Sequence, residues 1–527
     1  MLVVCETCPA IEQLAARDEL IESLQGENAA LRAKVAALAE IAFPHSERKD
    51  RAPGDDDLAG GDEVPGDDEP AGDAGEPART GGVEGGADES FVPRRGQRRG
   101  APGHGRRRYD DLSIKTVVHE LGDDQRCCPR CKMPYEGIEG AEVSTQIEWR
   151  VEVYRIEHHR KRYARRCRCE AAPAVIVAPV PAKVIPKGLL TAEAIARALV
   201  DKFLLARPAN KIVIALSFEG LDLAPGTLVG VFSKVAGLLA PLHEALFVHA
   251  RQAGSWNCDE TSWACFTDPD NTTGRRRRWW CWVARAHDVT VFRLVPSRAA
   301  KVLETLLGAN DEAVSGIVCS DMYGVYPTLD QVRFVNAYCW AHVRRHIMRA
   351  AASMAALRTW ADAWLELIST MYAAWHARRD GVDDGSRLKE VVATMRARLT
   401  EQLATPELAA PAAKVLAMMD SHWAGLVVFV THLEIAPDNN AAEQVLRPEV
   451  LGRKNYGGSG MPWAADLAAS AFSVFATIAQ WRLNPLSYCS DYLSACASSG
   501  GRAPAELGPF LPWSASTENL ERWRSPP

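Results

Sequence analysis

Ser255-Trp256-Asn257-Cys258-Asp259-Glu260-Thr261 sets an acidic pair inside an apolar segment, and the stretch around it decides the fold. Gly254 to Phe266 has the alternation and aromatic content of a strand. The polar turn Asp268 to Gly274 leads to a second strand, Arg278-Trp279-Trp280-Cys281-Trp282-Val283, and Val289 to Val295 makes a third. Ser297 begins a helix to about Leu307. A fourth strand, Gly316-Ile317-Val318-Cys319-Ser320-Asp321, ends on an aspartate. Val332 to Ala337 is a fifth, running into Tyr338-Cys339-Trp340-Ala341-His342.

Three strands, a helix and a further strand is the order of a ribonuclease-H-like α/β core. In that order the first and fourth strands lie side by side, which brings Asp259 next to Asp321. Residues 343 to 430 read as largely helical, with a break at Asp380 to Gly385. Beyond them, Pro437-Asp438-Asn439-Asn440 opens a helix with Asp438 as the expected N-cap and Glu443 on its second turn. Carboxylates gathered in this way hold two Mg²⁺ (or Mn²⁺) ions and support phosphodiester cleavage or transfer. Each acid also has a plainer reading: Asp259 a surface residue of an edge strand, Asp321 a turn residue, Glu443 half of an ion pair. Arg447, four residues on, is either that pair's cation or a phosphate contact.

The chain has 527 residues, too many for one core, so several domains are expected. Its net charge of −6 hides an asymmetry, with an acidic tract from Asp55 to Glu76 beside a basic block from Arg94 to Arg108. No segment is read as approaching the roughly 20 apolar residues of a membrane span. The N-terminus shows no signal-peptide profile, and the 14 cysteines suit reduced thiols or metal ligands. A cytoplasmic protein, nucleoid-associated when bound to DNA, is expected.

Residues 11–43 carry heptads, with Leu14, Ile21, Asn28 and Val35 at a and Arg17, Leu24, Leu31 and Leu38 at d. That pattern favours a two-stranded parallel coil, hence a homodimer or higher oligomer; the alternative is an amphipathic helix packed on its own chain. Residues 44–108 are too poor in bulky apolar groups to form a core and read as a disordered linker, acidic then basic. The isolated Cys5 and Cys8 are assigned no role. In 109–185, Cys128-Pro129-Arg130-Cys131 and Cys167-Arg168-Cys169 flank Ser144 to Tyr163, which alternates as hairpin strands do. Cys128, Cys131, Cys167 and Cys169 suit tetrahedral structural Zn²⁺, with Cys127 an alternative to Cys128. Residues 186–246 read as short helices, Ala192 to Leu205, Asn210 to Ser217 and Pro225 to about Leu239, with a turn at Gly220 and Leu221. This is helix-turn-helix order, and equally that of an ordinary bundle.

The chain resembles the insertion-sequence 66 family of bacterial DDE transposases. The likeness is carried by Asp438-Asn439-Asn440-Ala441-Ala442-Glu443, Leu446-Arg447-Pro448 and Gly452-Arg453-Lys454-Asn455. Cys339-Trp340-Ala341-His342-Val343-Arg344-Arg345, Ser320-Asp321-Met322-Tyr323-Gly324-Val325-Tyr326, Gly103-His104-Gly105-Arg106 and Ile185-Pro186-Lys187-Gly188 add to it. It spans about residues 11 to 495.

The resemblance implies a multidomain α+β protein. Its parts are a coiled coil (11–43), linker (44–108), zinc-binding β element (109–185) and helical DNA-binding region (186–246). A ribonuclease-H-like core follows in two pieces (250–346 and 431–482) around a helical insertion (347–430), with a helical tail (483–527). It implies Asp259, Asp321 and Glu443 as the DDE triad and Cys339 with His342 as a supporting CxxH element. Gln444 departs from the family's usual Arg, and the segment around Asp259 differs from the common pattern, with Glu260 as the fallback. Arg344, Arg345, Arg447, Arg453 and Lys454 are candidate phosphate contacts. The implied activity is two-metal cutting of transposon ends and joining to target DNA, with accessory proteins of the same element as possible partners. The alternatives are a DNA-binding relative that no longer cuts, and a nuclease without strand transfer.

Overall fold

A computed structural model describes residues 112–122, 125–136, 142–148, 151–167, 173–269, 277–309, 311, 314–322, 324, 326, 333–405 and 408–526. The expected coiled coil, the linker, Cys5, Cys8 and Cys169 lie outside these residues. The chain divides into two compact units, Met1–Ile138 and Glu139–Pro527.

In the first unit the described chain turns tightly at the first cysteine pair. Cys127 bridges Pro134, Cys128 N–H donates to Met133 O at 2.8 Å, and Lys132 N–H donates to Cys128 O at 2.9 Å. The half-buried Cys128 thiol is lowered below its ordinary range by backbone N–H groups of Cys131 and Arg130 directed at its sulfur.

The second unit opens with a short antiparallel ribbon, β1 (Arg162–Ala164) on β2 (Val175–Val177). The hairpin expected over Ser144 to Tyr163 is therefore corrected: among the described residues of that span, only Arg162 and Tyr163 are in a paired strand. Ile147, Val151, Val153, Tyr154 and Ile156 are all exposed, so the alternation there has no apolar surface to cover.

The main sheet has five strands: β3 (Ser255–Cys265), β4 (Arg277–Arg285), β5 (Thr290–Val295), β6 (Gly316–Ser320) and β7 (Phe334–Tyr338). Their spatial order is β5-β4-β3-β6-β7. β3, β4 and β5 are antiparallel neighbours, whereas β6 runs parallel to both β3 and β7. β4 is covered on both faces, with Cys281, Trp282 and Val283 fully buried, which explains its nearly continuous apolar run. The edge strand β5 would leave backbone groups unpaired. Helix Pro462–Gln480 covers it: Phe292 N–H donates to Ser473 Oγ at 2.8 Å, and Thr290 N–H to Thr477 Oγ1 at 3.1 Å.

Two hydrophobic cores flank this sheet. One joins β3, β4 and β5 to helices Pro225–Ala250, Pro462–Gln480 and Pro485–Ser498. The other joins Ile317, Cys319, Ala337 and Tyr338 to helices Trp340–Ser353, Arg358–Arg379, Ser386–Leu403 and Ala410–Ser421. The long helical excursion thus has an interior of its own resting on β6 and β7.

Region 186–246 differs from its sequence reading in two places. The first helix is α-helical over Ala192–Leu199 and then widens into a π-helical turn, Val200–Leu204. The last runs to Ala250 rather than Leu239, because Leu242, Leu246, Phe247 and Ala250 continue the buried stripe past Pro241. The membrane expectation also needs correction. By length and composition, Pro225–Ala250 and Pro462–Gln480 are long and apolar enough to cross a bilayer. Here they pack against each other and against β5.

Candidate active site

Register alone aligns three positions across the sheet. Asn257 pairs with Cys319, and Cys319 with Ala337. Two residues further along these parallel neighbours come Asp259, Asp321 and Cys339, level with one another and of like parity. Asp321 lies just past the end of β6, and Cys339 is the N-cap of helix Trp340–Ser353. His342 sits on that helix's first turn.

Glu443 reaches this place after the whole helical excursion, whose two ends are tied together. Trp340 N–H donates to Pro437 O at 2.9 Å, and Asn439 N–H to Cys339 Sγ at 3.1 Å. Asn439 is 1% exposed, and its side chain reaches β3: Nδ2–H donates to Cys258 O at 2.7 Å, while Oδ1 accepts from Asn257 Nδ2 at 3.0 Å. The helix that follows is Asn440–Val445, packed on β3 and β4, with Glu443 in its first turn. Two expectations change here. Asn439 rather than Asp438 is the N-cap residue, and Glu443 stands on the first turn rather than the second. Asp438 Oδ1 instead accepts Asn440 N–H at 3.1 Å, a local turn that starts the helix.

The acids form one electrostatic cluster. Burial pushes the Asp259 carboxyl well above the usual carboxylate range, and the neighbouring Glu260, Asp321 and Glu443 push it further. Glu260 is also raised, by burial and then by Asp321. Its carboxylate is already held on both oxygens: Arg298 donates to Oε1 at 2.8 and 3.0 Å, and Tyr326 Oη–H to Oε2 at 2.7 Å. The Glu260 side chain is only 2% exposed. Asp259 has Oδ1 accepting the Glu260 N–H at 2.8 Å, with Oδ2 left for a ligand. Of the two adjacent acids, Asp259 is thus better placed to bind a cation. Hard carboxylate oxygens that repel one another while sharing a site suit Mg²⁺ or Mn²⁺.

Beside them, donor atoms of Cys339, His342 and Glu443 lie within 4.8 Å of one another. Burial, then the Arg345 charge, lowers the His342 pKa and favours a neutral imidazole.

The predicted basic contacts separate into two groups. Arg344, Arg345, Arg447 and Lys454 are exposed. The described ion pairs give Glu443 only His342, at 3.9 Å, so Arg447 is not its partner. The helix restarts at Arg447, which breaks the expected shared face. Arg453 is committed to β3, donating to Ser262 O at 2.7 Å and Thr261 Oγ1 at 3.1 Å. The end of its helix is fixed to the same strand at Gly458 (φ +137°), where an added Cβ would meet Ala264 O at 2.2 Å. Cys128, Cys131 and Cys167 are accessible thiols, the first two in one unit and the third in the other.

Sequence reasoning missed the supporting polar groups Asn257, Arg298, Tyr326 and the side-chain role of Asn439. The signals for them were the doubled Asn after Asp438 and the block Ser320 to Tyr326, which ends on Tyr326.

A mixed α/β sheet with carboxylates gathered on neighbouring strands defines the class. The model of the family described as "Transposase IS66 family" matches residues 187–467, more than half of the chain, and the chain belongs to that family. It is also similar to two uncharacterized proteins of Sinorhizobium fredii. The protein y4hP is 24% identical, over 77% of this chain and 75% of its own length. The protein y4jD is 24% identical, over 75% of this chain and 80% of its own.

Proposed function

We propose that the chain is the DNA-cutting and DNA-joining enzyme of a bacterial insertion sequence, with Asp259, Asp321 and Glu443 as its catalytic triad. The observation that carries this reading is the level placement of Asp259 and Asp321 on parallel neighbours, with Glu443 returned to them by Asn439. The strand order β5-β4-β3-β6-β7, with β6 and β7 parallel to β3, supports a ribonuclease-H-like core.

The three carboxylates would hold two Mg²⁺ or Mn²⁺ ions, which when bound supply an activated oxygen nucleophile and stabilise the leaving oxygen. The remaining work belongs to the chain. Asp259 presents its oxygens from within β3 and Asp321 from just past the end of β6, and the Asn439 hydrogen bonds hold the Glu443 helix beside them. Arg298 and Tyr326 keep Glu260 from competing for the cations. Exposed Arg344, Arg345, Arg447 and Lys454 would bind DNA phosphates and position the strand without reading its sequence. The reaction breaks a phosphodiester at the transposon end to free a 3′-OH, which then attacks a target phosphodiester and displaces its 3′ oxygen.

Helices 186–246 are the proposed reader of the end sequence, and residues 11–43 the proposed dimerisation element. Cys128 and Cys131 are proposed ligands of a structural zinc, together with the second pair at Cys167 and Cys169. The protein would act in the cytoplasm, on nucleoid DNA, with accessory proteins of its element as possible partners.

The test is divalent-metal-dependent nicking of DNA carrying the element's terminal repeats, followed by joining of labelled ends to a target plasmid. Wild type should nick and join, and Asp321→Ala should do neither. Identical behaviour of the two overturns the catalytic reading and leaves a DNA-binding relative. Cleavage without joining makes the protein a nuclease.

A further inference from the structure

We infer that Cys339, His342 and Glu443 form a second metal site, selective for a borderline divalent ion such as Zn²⁺ or Co²⁺ and sharing Glu443 with the hard-metal site. The three donors come from two elements that the sequence separates by about a hundred positions, yet they lie within 4.8 Å of one another. A thiol sulfur, an imidazole nitrogen and one carboxylate oxygen are the ligand types of a three-residue zinc site with an open fourth position. Mg²⁺ discriminates against sulfur and nitrogen ligands, so this set and the aspartates select different ions.

A purely bracing role accounts for only part of the cluster. It explains Cys339, whose sulfur accepts Asn439 N–H at 3.1 Å, although an N–H directed at a thiolate is also what supports a metal-bound cysteine. It leaves His342 Nδ1 and Glu443 Oε1 buried without a hydrogen-bond partner. Nor do these two side chains satisfy each other, because His342 Nε2 stands 3.9 Å from Glu443 Oε1, too far for a hydrogen bond. A cation held between His342 Nε2 and Glu443 Oε1 gives the buried carboxylate oxygen the partner it lacks. Because Glu443 belongs to both ligand sets, Zn²⁺ bound here competes with the aspartate site for its carboxylate and opposes Mg²⁺-supported chemistry. That consequence rests on the proposed catalytic reading; the binding itself does not.

Co²⁺ titration of the full chain carrying Cys127→Ser, Cys128→Ser and Cys131→Ser, which removes the three thiols of the other unit's turn, tests the site. A thiolate-to-cobalt charge-transfer band should appear, vanish in Cys339→Ser, and need about tenfold or more Co²⁺ in Glu443→Gln. Asp259→Asn should keep the band although it abolishes nicking, so the spectrum judges this site and the nicking assay judges the triad. A band that survives Cys339→Ser, or is indifferent to Glu443→Gln, overturns the inference. X-ray absorption of the Zn²⁺-loaded chain in the same background gives a readout that needs no Cys339 variant: sulfur, nitrogen and oxygen around zinc support it, and a shell without sulfur overturns it.

Discussion

Asn439 donates a 2.7 Å hydrogen bond from Nδ2 to the carbonyl of Cys258, across 181 positions of sequence. The acceptor precedes Asp259 by one residue and the donor precedes Glu443 by four. Through this bond the position of one acid is referred directly to that of another.

Asn439→Ala leaves the Cys258 carbonyl and the Asn257 amide without their partner in a buried place. The expected cost is about 2–6 kcal/mol, from two orphaned groups at about 1–3 kcal/mol each. Urea unfolding measures it, and nicking should fall further than stability alone explains because the Glu443 helix loses its anchor.

Asp259→Asn removes one charge from a crowded acidic cluster. Without divalent metal the variant should melt higher than wild type, since burial and three neighbouring carboxylates disfavour the Asp259 anion. Adding Mg²⁺ should raise the wild-type melting temperature and leave the variant nearly unmoved. A metal-free variant that melts lower than wild type contradicts the cluster argument.

Glu449 is 3% exposed, lines a cavity of about 300 Å³ with Phe472 and Phe475, and has Oε2 without a partner. Burial pushes its pKa up to about 8 from the ordinary 4.5. The folded state therefore keeps a proton that the unfolded chain releases. The associated stability is complete below pH 4.5 and lost as pH rises through about 8. Between pH 5 and 9, wild type should lose on the order of 3–5 kcal/mol relative to Glu449→Gln in denaturant titrations.

Arg447→Ala and Lys454→Ala should weaken DNA binding equally for all sequences, each lowering the slope of log affinity against log salt by about one. Arg453→Ala should instead destabilise the fold, because its guanidinium is bonded to Ser262 and Thr261 of β3. An Arg453 variant of full stability and weakened binding would return this residue to the phosphate-contact set.

Cys128→Ser should reduce bound zinc by about one ion per chain, read by metal analysis of the purified protein. Wild type without zinc sinks the structural-zinc proposal.

The strands of the main sheet were legible because aromatic and β-branched runs bounded by polar turns are a local signal. Gly254 to Phe266 was read for Ser255–Cys265, and Val289 to Val295 for Thr290–Val295. Signals that depend on distant partners were not legible. Asn439 looked like part of a helix start, whereas its amide serves β3. Arg453 reads as a phosphate contact, yet it is tied to a strand, and the buried Glu449 carried no local signal. The apolar length of Pro225–Ala250 was underread because its stripe continues past a proline that packing tolerates.

By itself, then, the sequence determined the strands of the main sheet and most of the helices, the family, and the acids worth suspecting. The elements follow from periodicity and residue type, which act over a few positions, and the family from its motif blocks. Only the tertiary structure decided that Asp259 rather than Glu260 keeps an oxygen for a ligand, since Arg298 and Tyr326 occupy Glu260. It also decided that Arg447 stands clear of Glu443, and that Cys339, His342 and Glu443 meet. Hydrogen bonds and metal ligation require atoms within a few ångströms, and in this chain those atoms come from residues separated by up to about two hundred positions.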